Sequence, residues 1–262
     1  MQRKIALLMA LSFILTACGG SNKSNTDPPT SGPLTGNWQM SLQSSNTNLK
    51  PNPQSGFLVQ NQNVITGSVS VTDSPCSGVG TVDGTVTGAA VSLVVNPTGI
   101  QLNLSGTLGS DMASMSGNYT ILSSGCSGSQ TAPQTGIWTA NLVAPLNGNM
   151  QGTFTSTQIG TSYSVAGQVS QGPNTGISNA ALTGNFGATG YCFTTANIVG
   201  VISGTSVVIN LMGSDGITQI GQMNVTSSFD GKSLTGRYNI LPMGPGFPPC
   251  GDGDSGTVTL SL

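Results

Sequence analysis

Apolar side chains in this chain recur at every second residue, and that spacing constrains the fold more than any other feature. Ile100, Leu102 and Leu104 alternate with Gln101, Asn103 and Ser105, and Val258, Leu260 and Leu262 alternate with Thr257, Thr259 and Ser261. Val91, Leu93 and Val95, and Val207, Ile209 and Leu211, continue the pattern less strictly. Side chains two apart share one face of a strand, so each run turns an apolar face to a core and short polar groups to water. Gly84, Gly88, Gly99, Gly109, Gly200, Gly204 and the pair Asp230-Gly231 punctuate the runs at hairpin spacing. After the first eighteen residues no helical apolar stripe longer than three turns occurs. The spacing predicts an all-β, antiparallel, meander-like fold.

The chain also repeats itself. Leu34-Thr-Gly-Asn-Trp-Gln39 resembles Leu146-Asn-Gly-Asn-Met-Gln151, and Met115-Ser-Gly-Asn-Tyr-Thr-Ile-Leu122 resembles Leu234-Thr-Gly-Arg-Tyr-Asn-Ile-Leu241. Cys76 precedes Gly84-Thr-Val-Thr-Gly88 as Cys192 precedes Gly200-Val-Ile-Ser-Gly204. Cys126 and Cys250 follow the tyrosine motifs, and closing strands start at Gly136 and Gly256. The matches are offset by 112 to 124 residues. Two tandem modules are expected, 34–143 and 144–262, each a small barrel or sandwich with its own closing strand.

The first eighteen residues carry a different signal. Arg3 and Lys4 give a basic start, an apolar run from Ile5 to Leu15 is broken only by Ser12, and Leu15-Thr16-Ala17-Cys18 follows. Eleven residues fall short of the roughly 20 that a spanning helix needs. The segment resembles the signal and lipobox of bacterial lipoproteins. That resemblance implies a signal peptide over 1–17 and a diacylglyceryl thioether at Cys18, with the membrane as partner through its acyl chains. Gly19 stands where inner-membrane lipoproteins typically carry Asp, which favours the outer membrane in a cell with two. Residues 19–33 are Gly, Ser, Asn, Lys, Thr, Asp and Pro, a flexible tether with nothing to bury.

With the signal removed, four basic side chains face eight aspartates, a formal charge of −4, and nothing basic lies between Lys50 and Lys232. Such a surface excludes nucleic acid, whose phosphates need cations.

Once Cys18 is assigned to lipid, four cysteines remain in an exported protein, where disulfides persist. Four cysteines allow three pairings. The duplication selects Cys76 with Cys126 and Cys192 with Cys250, one bridge per module. Closing loops of this size stabilises each module by roughly 4 kcal/mol on the chain-entropy argument. A metal site has no support, since neither a Cys-x-x-Cys spacing nor any histidine occurs.

Chemistry is hard to find. Without histidine the usual nucleophile–base pairs are missing, and the eight aspartates mostly adjoin Gly or Ser in turns, where Asp caps its own backbone. Cys250-Gly-Asp252-Gly-Asp254-Ser-Gly256 is the one local cluster of charge. It lacks the longer ligand series and final Glu of a Ca²⁺ loop, and reads as a polar turn. Trp38 and Trp138 are candidate sugar-stacking rings, although core packing is the better reading of both. No phosphate loop and no cofactor motif is present.

Leu34-Thr35-Gly36-Asn37-Trp38 resembles the first-strand Gly-x-Trp motif of lipocalins and the Thr-Gly-x-Trp of avidin-type barrels. That likeness implies an eight-stranded meander barrel and a small ligand inside it. Together these features lead us to expect a non-enzymatic, lipid-anchored cell-envelope lipoprotein with a structural, adhesive or binding role. The alternatives are a calycin-like carrier of a small apolar ligand and a carbohydrate-binding surface module. No cofactor is expected, and a partner beyond the membrane would be a protein or a glycan.

Overall fold

The computed structural model describes residues 32–46, 50–71, 78–97, 101–122, 134–174, 177–244 and 250–262. Cys18, Cys76 and Cys126, with the signal and most of the tether, lie outside them. Among the described residues every regular element is a strand. The first eight are β1 (Gly36–Ser44), β2 (Asn52–Asn61), β3 (Val64–Val71), β4 (Gly78–Thr87), β5 (Ala90–Asn96), β6 (Gln101–Leu108), β7 (Ser114–Leu122) and β8 (Gln134–Val143). The second eight are β9 (Asn147–Ser156), β10 (Ser162–Gln171), β11 (Ala180–Ala188), β12 (Thr195–Ser203), β13 (Ser206–Met212), β14 (Gln219–Ser227), β15 (Ser233–Ile240) and β16 (Asp254–Ser261).

Each set of eight closes on itself in sequence order, all pairs antiparallel. The all-β, tandem, meander expectation is therefore met, and barrels rather than sandwiches are formed. Alternation decides which side chains go in. In β16 Asp254, Gly256, Val258 and Leu260 are buried while Thr257, Thr259 and Ser261 are exposed. Closing a sheet leaves one face for the core, so a period of two is all the pattern needs.

The duplication extends to hydrogen-bond register. Met40 opposes Gln54 as Gly152 opposes Val165, Gln54 opposes Val71 as Val165 opposes Ala188, and Ile121 opposes Gln134 as Ile240 opposes Asp254. At closure Ser44 meets Gly136 as Ser156 meets Gly256. The same end is tied off in both copies. Leu34 N donates to Gln60 Oε1 and Leu146 N to Gln171 Oε1, each at 3.1 Å. Toward the opposite end the Tyr119 ring lies over Gly136 and the Tyr238 ring over Gly256, within 3 Å of where a Cβ would stand. We call these the leucine end and the tyrosine end.

Two of the glycines expected to punctuate runs sit inside strands instead. Gly84 in β4 and Gly200 in β12 approach the carbonyls of Ser92 and Val208 so closely that a Cβ would lie 2.4 and 2.5 Å from them. Their role is close packing across a strongly curved ladder. The turns belong to Gly88 and Gly204, whose φ values of 60° and 56° favour glycine.

The barrels touch. Asn37, buried on β1, accepts from Gly204 N at 2.7 Å and donates through Nδ2 to Gly204 O at 2.8 Å. Gln39 Oε1 accepts from Thr205 N at 3.1 Å, and the Ser55 and Ser203 hydroxyls meet at 2.8 Å. Phe57, on the outer face of β2, joins the core cluster of the second barrel.

Candidate functional site

The second barrel holds one buried acid. Asp254 opens β16 and is 4% exposed. Alternation points it inward with Val258 and Leu260. Its Oδ1 accepts from Ser156 Oγ at 2.6 Å, and its Oδ2 accepts from Tyr191 OH at 2.5 Å and Tyr238 OH at 2.7 Å. Burial works against the charge and is the largest single influence. The hydroxyls of Ser156, Tyr191 and Tyr238 and the Ser255 amide outweigh it, so the carboxyl is held below its ordinary value. Burial first, then the anion they bond, pushes the Tyr191 phenol up. Tyr238 is likewise driven up by burial ahead of Asp254.

The donors come from separate parts of the barrel. Ser156 ends β9, and its Oγ also accepts from Gln158 N and Ile159 N of the next turn. Tyr238 lies on β15. Tyr191 lies in the segment between β11 and β12, where Cys192 is bridged to Cys250 with Cα atoms 5.4 Å apart. Rings surround the acid. Phe154 stacks on Tyr238 at 4.3 Å, Tyr163 meets Tyr191 at 4.5 Å, and Phe193 contacts Tyr191 edge-on at 5.7 Å. Disulfide, carboxylate and rings together seal the tyrosine end of barrel 2.

The reading of 250–256 as a polar turn needs correcting. Asp252 is exposed in a turn, whereas Asp254 two residues later is inside the barrel. Strand parity, extended backward from Val258 through Gly256, is the sequence signal that marks it. Tyr191 has no such signal; its place follows only from the bridge beside it.

Three other aspartates behave as turn residues, while Asp83 lies on the exposed face of β4. Asp111 accepts from Ala113 N and Ser114 N, Asp215 from Ile217 N and Thr218 N, and Asp230 from Lys232 N. The Thr218 hydroxyl and the turn amides hold Asp215 at about 2. Among the described residues no group of three or more His, Cys, Asp or Glu could hold a metal ion.

Trp38 and Trp138 are 0% and 1% exposed. Their Nε1 atoms donate inward, to Leu34 O at 2.9 Å and Ser105 O at 3.1 Å. Neither ring face is open to a glycan, so the sugar-stacking assignment of Trp38 and Trp138 gives way to core packing. Outside, open grooves run over β9, β10 and β11, lined by Asn149, Gln151, Gln168 and Asn185.

No known family matches the chain, and no curated protein matches it. Among solved structures, kievitone hydratase from Nectria haematococca is similar over 91% of this chain and 94% of its own, with 10% identity and a TM-score of 0.25. A likeness that slight carries no argument about mechanism.

Proposed function

We propose that the protein is a non-enzymatic, lipid-anchored lipoprotein of the cell envelope, held through Cys18 and serving a structural, adhesive or binding role. One observation carries the anchor: the ordered series of basic start, short apolar run and Leu15-Thr16-Ala17-Cys18. Gly19 favours the outer membrane. The first strand begins at Gly36, just beyond the tether, which suits a rigid body held off a bilayer. The non-enzymatic reading draws support from Asp254. A general base needs a lone pair within reach of a substrate, and here the barrel's own hydroxyls occupy a carboxylate closed off from solvent. The polar, nearly uncharged exterior suits an uncharged partner, whether protein or glycan.

The carrier alternative is favoured by closed eight-stranded meanders, but the rings that fill the tyrosine end of barrel 2 lend it no support there. Metabolic labelling with an alkyne palmitate analogue tests the anchor. Wild type is expected to label and to accumulate a precursor under globomycin, and the Cys18→Ala variant to do neither. A mature protein without acyl mass would refute the proposal.

A further inference from the structure

The contact between the barrels seats a turn of one module on a face of the other, and the duplication supplies each part twice. The turn is Gly204-Thr205, the two-residue link between β12 and β13. The face is the outer side of β1 and β2. There Asn37 bonds both the amide and the carbonyl of Gly204, Gln39 Oε1 accepts from Thr205 N, and Ser55 meets Ser203. Phe57 completes the face by packing against barrel 2. In this contact Asn37, Phe57 and Gly204 are all buried.

The counterpart of each part is open. By the shared register Asn149, Gln151, Ala166 and Gln168 stand where barrel 1 has Asn37, Gln39, Ser55 and Phe57. All four are exposed, and together they line a hollow of about 680 Å³. The counterpart of the turn is Gly88-Ala89, the two-residue link between β4 and β5, with φ of 60° at Gly88 against 56° at Gly204. It is exposed as well. A Cβ on Gly88 would have no atom within 4 Å, whereas one on Gly204 would lie 2.2 Å from Gln39 Oε1.

The bonds that hold the buried turn go mainly to its backbone, so a change of side chain leaves them available. Asn149 can meet the amide and carbonyl of Gly88, and Gln151 Oε1 can accept from Ala89 N. Asn149 Oδ1 already accepts from Gln168 Nε2 at 3.0 Å, and its second lone pair is left for Gly88. No charged side chain occurs in β9, β10 or the turn, so nothing repels the approach. We propose that the β9–β10 face of barrel 2 binds the Gly88-Ala89 turn of a second copy of this chain, joining molecules head to tail. Face and turn lie on different barrels, so the contact is heterologous and each added molecule brings a fresh site of both kinds. Side chains grip a turn, and no strand edge takes part. Gln168 in place of Phe57 makes this contact weaker than the one within a chain, so it forms where copies are held close. The proposal rests on the barrels alone and is independent of the anchor at Cys18.

Sedimentation velocity of the whole mature chain tests it, with Cys18→Ala throughout so that no acyl chain contributes. The weight-average sedimentation coefficient is expected to rise with concentration toward the millimolar range. Asn149→Ala on the face and Ala89→Lys on the turn, both at exposed positions, should each weaken association about tenfold. Circular dichroism checks that each variant is folded. Mixed together, the two variants should recover a dimer, because one intact face and one intact turn remain between them. A coefficient that stays constant to millimolar concentration overturns the proposal. So does association that the two variants leave undiminished, or a mixture that associates no better than either variant alone.

Discussion

The two barrels share every strand pairing, yet the described residues at their tyrosine ends differ. Barrel 2 closes with a carboxylate gathering three hydroxyls, a bridge from Cys192 to Cys250 and a nest of rings. Barrel 1 has Gln134 at the position of Asp254, Leu42 at that of Phe154 and Asn52 at that of Tyr163. Of its large rings, Trp38 is bonded to Leu34 at the leucine end, whereas Trp138 pairs with Leu42 and stands where barrel 2 has Val258. Tyr119 keeps its place but hydrogen-bonds Ser44 rather than an acid. Matching strand pairing thus tolerates a carboxylate and rings in one copy and amides at the matching described positions of the other. Register is set by which face is apolar, and the identity of the plug is free to change.

Both tryptophans of the chain lie in barrel 1, so indole fluorescence reports that barrel alone while circular dichroism reports both. The double variant Cys192→Ala/Cys250→Ala should show the largest effect. It is expected to destabilise barrel 2 by about 4 kcal/mol and leave the fluorescence transition in place. A fluorescence transition that moved equally would mean the barrels unfold as one. Asp254→Ala, which leaves three buried hydroxyls without their acceptor, should cost about 3 kcal/mol by denaturant titration.

The pH dependence follows from the same groups. Asp254 has a folded value below its ordinary 3.8, so its contribution is complete above that value and is lost as pH falls through the folded one. Tyr191 and Tyr238 are raised above 10.0, so theirs is complete below 10.0 and is lost as pH rises through the folded values. Melting curves across pH should show barrel 2 weakening at both limits, and Asp254→Asn should flatten the acid limb.

Gly204→Ala probes the contact between barrels. A Cβ there would lie 2.2 Å from Gln39 Oε1, on a backbone with φ of 56°. The expected cost is about 2 kcal/mol, and the two transitions should draw apart in calorimetry. The smallest difference separates the paired tyrosines. Tyr238→Phe removes a bond to a carboxylate and should cost about 2 kcal/mol, Tyr119→Phe a neutral one and about 1 kcal/mol. Equal losses would mean that the acid adds nothing to its hydroxyl.

Much of this was legible in the residues. Alternation located β5, β13 and β16, the repeated tyrosine motif located β7 and β15, and the duplication predicted the bridge between Cys192 and Cys250. The paired bridge, Cys76 with Cys126, lies outside the described residues. Asp254 escaped because Gly-Asp-Gly-Asp-Ser-Gly has the composition of a turn, and composition outweighed the parity that Val258 and Leu260 impose. Asn37 and Gln39 escaped for another reason. Whether an outward amide is covered depends on the neighbouring barrel, which spacing along one strand does not encode.

Closure itself has a consequence for solubility. Only 5% of the residues are charged, so repulsion between molecules is weak at any pH where the protein is folded. An open sheet of such composition would expose unpaired amides and carbonyls along its margins and recruit copies of itself. Each of these strands has a neighbour on both sides, so the ring stands in for the missing electrostatic protection. Crowded at high density on a surface, the molecules would offer one another no margin on which to polymerise.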